Sequence, residues 1–306
     1  MIAFKNSKLG MLVGYVGRPL AVSLAFDIAV ASAYVFAGWK WVAQPNIPLS
    51  IFGGVIGVLA GFRNSSAYAR WWEARTIWGG VVNNSRSFAR EVLSMIAPRD
   101  ADEATQRELN QVKRRLVLLQ IAYVHALRNH LRGLPPWPEL TGLIPEQEIE
   151  QLKTRNNVPL AIQQNMALVV ADCYRLGWID DIRWTTLDRT LSNLMDCQGA
   201  SERIKHTPMP RQYDSFIRLF INIYCLVLPL GMVQDLQLLT PVGSTLVGFI
   251  FLALDEIGRD LEMPFENLPY DIPLTAISRT IEINLKQMIG EKDVPAPLTP
   301  IDGILW

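Results

Sequence analysis

The chain has 306 residues, 50% hydrophobic and 19% charged, with 29 basic side chains against 29 acidic ones. That is more apolar than an average globular domain and less so than a chain wholly embedded in lipid, so a division between bilayer and water is expected. The charge balance leaves no footprint for nucleic acid, and three well-separated cysteines, Cys173, Cys197 and Cys225, offer neither a disulfide framework nor a CxxC zinc site.

The first twenty residues carry Lys5 and Lys8 but no apolar core ending in a small-residue cleavage site, so no cleaved signal is expected. Four apolar stretches are candidates for crossing a bilayer, which takes about 20 residues. They are Leu20 to Trp39, interrupted by Asp27, then Pro48 to Phe62, Phe216 to Val233, and Leu238 to Leu254. Each could instead be a buried core helix. Charge placement favours the membrane: Lys5, Lys8 and Arg18 precede the first stretch, Arg63, Arg70, Arg75, Arg86 and Arg90 follow the second, and Arg259 follows the fourth. Lys40 alone lies in the first connection, and no Lys or Arg lies between Val233 and Leu238. Both ends and the middle region are therefore expected on the cytoplasmic side.

The second stretch, IFGGVIGVLAGFRNSSAYARWWEAR from Ile51 to Arg75, passes from apolar to polar with no breaker at the junction, so one helix is expected to run from lipid into water. At about 100° per residue, Gly53, Gly57 and Gly61 share an arc, with Gly54 near its edge. Val58 and Phe62 project to the other side with Ile51 and Val55. A bare glycine face allows close approach of another backbone. The bulky face meets either lipid and protein or the central space of an assembly, where a ring of apolar side chains gates by dewetting.

The middle region is helix-periodic, with Leu109, Val112, Leu116, Leu119, Tyr123 and Ala126 forming one stripe. The basic run Lys113-Arg114-Arg115 reads as a solvated face of that helix. GLPPWPELTG, from Gly133 to Gly142, must break the chain, and helices are expected at Pro159 to Leu176 and Ile182 to Ile204. Beyond the fourth stretch, Pro264, Pro269 and Pro273 imply an extended segment. One amphipathic helix follows, carrying Ile277, Ile281, Leu285 and Met288.

No GxSxG, HExxH, Walker loop or GxGxxG occurs, so an enzyme is not expected. His125, His130 and His206 lack metal-ligand spacing and read as structural, so neither metal nor cofactor is expected. Asp27 lies inside the first stretch, where an ionisable group costs about 2.5 to 3.5 kcal/mol. It needs a partner, for which Arg63 and Arg218 are the candidates. Asp255 and Glu256 sit near the cytoplasmic exit of the fourth stretch, where charge is cheap.

Four ordered motifs, GFRNSSAYARWWEARTIWG (Gly61 to Gly79), SERIKHTPMPRQY (Ser201 to Tyr213), EIGRDLEMPFENLPYDIPL (Glu256 to Leu274) and RTIEINL (Arg279 to Leu285), resemble the prokaryotic branch of the bestrophins. The resemblance implies an all-α membrane protein, a homopentameric channel for small monovalent ions with four transmembrane helices per subunit. The expected division is 1–62 for the first two transmembrane helices, 63–213 for a helical cytosolic region, 214–258 for the other two, and 259–306 for a cytosolic C-terminal segment. A multi-pass protein of the bacterial inner membrane with both termini cytoplasmic follows.

By the same resemblance, three positions one turn apart on the second transmembrane helix form a hydrophobic neck. They fall on Gly54, Val58 and Phe62. The family favours a bulky residue at the first, so Gly54 implies a wider upper neck, or Val55 takes that role. A cytosolic constriction is expected at Ile182 or Thr186. The calcium-sensing acidic run of animal members is reduced to Glu266 and Asp271, so gating by that device is not expected. Animal members pass chloride while prokaryotic relatives can favour cations, and Asp180, Asp181 and Asp188 lean the expectation towards cations where they face the axis. A non-conducting membrane scaffold is the competing class.

Overall fold

A computed structural model describes residues 15–98 and 102–306. Lys5 and Lys8, and with them the reading of the extreme N-terminus, lie outside the described residues. The named helices are α1 (Gly17–Val35), α2 (Leu49–Met95), α3 (Glu103–Arg132), α4 (Glu146–Leu152), α5 (Val158–Arg175), α6 (Asp181–His206), α7 (Arg211–Leu236), α8 (Thr240–Glu262) and α9 (Leu274–Met288). Among the described residues there is no strand, only the isolated bridges Thr141–Ile144 and Ile301–Ile304.

The helix ends follow local chemistry. Asp102 and Asp180 cap α3 and α6 by accepting from the backbone N–H of Thr105 and Arg183. Gly133, at φ 65°, closes α3 in the left-handed conformation that its missing Cβ permits. Nothing between Leu49 and Met95 forces a stop, and α2 continues for 47 residues.

The chain folds as two compact units. The first comprises residues 15–71 and 208–263: α1, the beginning of α2, α7 and α8. Its core is built on Ile56, Ala60, Ile217, Ile221, Leu228 and Leu252. Gly17–Val35 and the run Arg211–Glu262, which holds α7 and α8, are long and apolar enough to cross a membrane. Gly53 is approached by the Tyr224 ring, whose hydroxyl donates to Leu49 O at 3.2 Å. The glycine face therefore receives a side chain there rather than another backbone. A Cβ at Gly57 would come only into ordinary contact with the Phe251 ring, at 3.9 Å, and one at Gly61 would meet nothing within 4 Å.

The second unit comprises residues 72–207 and 264–306, around Trp78, Phe88, Leu116, Tyr123 and Leu127. Every residue from Leu116 to Asn129 is buried, so this part of α3 is enclosed, not packed along one stripe as its periodicity implied. Its polar members are buried because each finds a partner. Gln120 Nε2 donates to Ser85 Oγ at 2.9 Å, Tyr123 Oη to Leu194 O at 3.0 Å, and Asn129 Nδ2 to Glu139 Oε2 at 2.7 Å. The basic run before it is engaged rather than simply solvated: Lys113 donates to Leu93 O, Arg114 pairs with Glu291 and Arg115 with Glu148. In α9, Leu274, Ile281 and Leu285 are buried while Met288 is exposed, and Ala276 N donates to Trp306 O at 2.7 Å.

Candidate functional site

Within the first unit, the buried side of α2 is the line Ile56, Ala60, Arg63 and Ala67. Val58 and Phe62, one turn apart, leave that line and are 59% and 62% exposed in the isolated chain. Gly54, a turn before Val58, is exposed, with nothing within 4 Å of where its Cβ would stand. Val55, 54% exposed, also lines an apolar groove of about 400 Å³ between α2 and α7, with Ile51, Phe52, Phe220 and Ile223.

Phe62 is followed by a buried charge. Arg63 Nη1 lies 2.6 Å from Asp255 Oδ1 and 3.1 Å from Asp214 Oδ1. Its Nη2 donates to Asp255 O at 2.6 Å and to Leu254 O at 3.3 Å. Arg218 completes a four-charge network, 3.4 Å from Asp214 and 3.7 Å from Asp255. A guanidinium is the side chain suited to this, because its planar fork serves several acceptors at once.

The expected pairing of Asp27 with Arg63 or Arg218 does not form. Asp27 is buried and its Oδ2 accepts from Thr245 Oγ1 at 2.9 Å, while both arginines are held by Asp214 and Asp255. The physical reason is depth: Asp27 faces the hydroxyls of α8, whereas Asp255 lies near the other end of that helix, next to Arg63. Asp255 was the acidic group that mattered, and its signal was its position just after an apolar stretch, like that of Arg63.

In the second unit, Ile182 is 79% exposed in the first turn of α6. Thr186 is half-buried, its hydroxyl donating to Ile182 O at 2.8 Å. Asp180 caps the helix and faces Arg183, Asp181 accepts from Tyr174 Oη at 2.7 Å, and Asp188 is exposed. Glu266 pairs with Lys205 at 2.6 Å and Asp271 accepts from Leu268 N at 3.0 Å. Among the described residues no group of three or more His, Cys, Asp or Glu side chains is placed to hold a metal. His125 is buried against Glu282 and Arg128, as a structural histidine.

The described residues are helical, with stretches long and apolar enough to cross a membrane, and comparison with known proteins narrows the class. The family model described as Bacterial/Fungal Bestrophin protein matches residues 6–287, and the chain belongs to the bestrophin family. Its relatives include the voltage-dependent anion channel-forming protein YneE of Escherichia coli (strain K12), 33% identical over 294 residues covering 95% of this chain and 92% of that one. The voltage-dependent anion channel-forming protein alr2987 of Nostoc sp. is 31% identical over 279 residues, 91% of this chain and 88% of that one. A crystal structure of a bacterial bestrophin homolog from Klebsiella pneumoniae superposes with a TM-score of 0.82 at 28% identity, covering 90% of this chain and 98% of that one.

Proposed function

We propose that the chain is one subunit of a homopentameric channel for small monovalent ions in the bacterial inner membrane, with α2 lining the pore. Its relatives carry channel names, and the chain is a channel subunit rather than an enzyme. The observation that carries the reading is the pair Val58 and Phe62, large apolar side chains left uncovered a turn apart on α2. Five copies around an axis would turn these positions into two apolar rings, with Gly54 leaving a wider mouth above them. Such rings resist wetting until they widen. In this reading residues 1–62 and 214–258 form four membrane helices, residues 63–213 and 259–306 are cytosolic with both termini on that side, and Ile182 or Thr186 forms a second constriction.

An apolar neck carries no charge with which to choose an ion, so the sign is set elsewhere. Asp181 and Asp188 on α6 favour cations. Passage of anions is the second reading, favoured by the names of the relatives and by the neutralisation of Asp180 by Arg183. Reversal potentials of purified protein in planar bilayers under asymmetric salt test both readings. A conducting pore whose conductance rises in Phe62→Ala supports the neck. Absence of conductance in wild type and variant refutes it in favour of a scaffold.

A further inference from the structure

We infer that Arg63 is the positioning residue of the neck: held by Asp255, Asp214 and the carbonyl groups of Leu254 and Asp255, it fixes the rotation of α2 that turns Val58 and Phe62 outward. The inference rests on the pore reading above and adds what orients its lining.

The packing around Arg63 is smooth. Its neighbours on the buried line of α2 are Ala60 and Ala67, both with no exposed surface, and a methyl group offers little resistance to a helix turning about its own axis. Directional bonds resist turning because hydrogen bonds weaken steeply off their axis. Two consecutive side chains tie the apolar-to-polar junction of α2 to α7 and α8, and Arg70 Nε, two turns further on, donates to Glu262 O at 2.7 Å. Arg63 supplies Nη1 to both carboxylates and Nη2 to two backbone oxygens, and Asn64 Nδ2 donates to Leu254 O at 2.8 Å. Phe62 precedes Arg63 by one residue, so fixing the azimuth of the arginine fixes that of the phenylalanine at about 100° from it.

Helix α8 is shaped to receive the arginine. A Cβ on Gly258 would stand 2.6 Å from Arg63 Nη2 and 2.8 Å from Nε, and would also overlap Asn64 Oδ1. Glycine leaves the room that the guanidinium fills. Two arginines and two aspartates balance the site, which lets Arg63 be 2% exposed without an unpaired charge. A lysine would keep the charge but lose the planar fork.

The test uses the full-length channel in planar bilayers, with Phe62→Cys as reporter and a charged, water-soluble thiol reagent applied to the pore. The rate of current change at Phe62→Cys is compared alone and combined with Arg63→Lys or with Gly258→Ala, and the unsubstituted chain supplies the background from native cysteines. Both combinations are expected to change the modification rate several-fold, and Arg63→Lys alone to alter single-channel conductance, in assemblies of wild-type size. Unchanged rates and conductance, with only a lower melting temperature, would make the network a purely structural bond and overturn the proposal. Where Arg63→Lys does not assemble, Gly258→Ala and Asp214→Asn decide by the same readouts. An unreactive Phe62→Cys together with wild-type conductance in Phe62→Ala removes the neck, and the role of Arg63 with it.

Discussion

His125 Nε2 stands 3.2 Å from Glu282 Oε2, and this buried contact ties α3 to α9. Glu282 also accepts from Lys286 Nζ at 2.8 Å and faces Arg279 Nε at 3.4 Å. Burial pushes the Glu282 carboxyl up, but the hydrogen bonds and charges of His125 and Lys286 outweigh it and hold the group at about 2, below its ordinary 4.5. A carboxylate depressed in the fold contributes stability that is complete above its unfolded value and is lost as pH falls through its folded one. The melting temperature of this unit, followed by circular dichroism, is therefore expected to fall as pH drops from about 4.5 towards 2. Glu282→Gln should melt lower at pH 7 and respond less to acid in that window. A parallel pH dependence in the two proteins would contradict the assignment.

Asp271 has the opposite sign. Burial pushes its carboxyl up to about 6 against the opposing backbone N–H groups of Leu268, Glu266 and Asn267. The folded state then holds the proton more tightly than the unfolded chain, so stability declines as pH rises from about 4 through about 6. Asp271→Asn keeps an oxygen for Leu268 N and removes the charge. It is expected to raise the melting temperature at pH 7.5 and to leave it unchanged near pH 4.

Val55 and Val58 flank Phe62 on α2, about 20° and 40° from it on the helix surface. Tryptophan at position 58 is expected to suppress single-channel current, because the side chain enters the proposed ring. Val55→Trp should leave current intact while crowding Phe220 and Ile223 in the groove beside α7. The reverse pattern, with block from position 55, would move the pore face by one residue.

Gly53 and Gly61 share one arc of the helical wheel, about 80° apart, but meet different surroundings in the fold. Gly53→Ala places a methyl 2.5 Å from Tyr224 Oη and must displace its hydrogen bond to Leu49 O. A loss of about 1–3 kcal/mol is expected for such overpacking. Gly61→Ala meets nothing within 4 Å, and with the better helix former it is expected to be neutral or to stabilise by up to about 1 kcal/mol. Thermal melts of the two purified variants in one detergent compare them directly.

The continuous α2 and the shared face of Val58 and Phe62 were legible in the sequence, because helix continuity and azimuth are local properties. What the residues alone left open was which neighbour each face would meet. The partner of Arg63, Asp255, lies 192 residues away, and the hydroxyl that serves Asp27 lies 218 residues away. Pairings at such separations depend on which helices become adjacent, and no spacing rule encodes them. The same holds for α3: a stripe shows which side must be buried, but α5 and α9 close over the other sides as well. Resemblance supplied the neck assignment at Gly54, whereas the groove beside α7 that Val55 lines was visible only in three dimensions.

The enclosure of α3 has an evolutionary corollary. From Leu116 to Asn129 no position faces solvent, so nearly every replacement there must satisfy a packing or bonding neighbour at once. In a saturation library selected for assembled protein, this segment should form a block of intolerance, while the exposed polar positions of its first turns, such as Arg107 and Gln111, drift freely. Inherited change in such a helix would come as paired exchanges with α5 or α9, not as single steps.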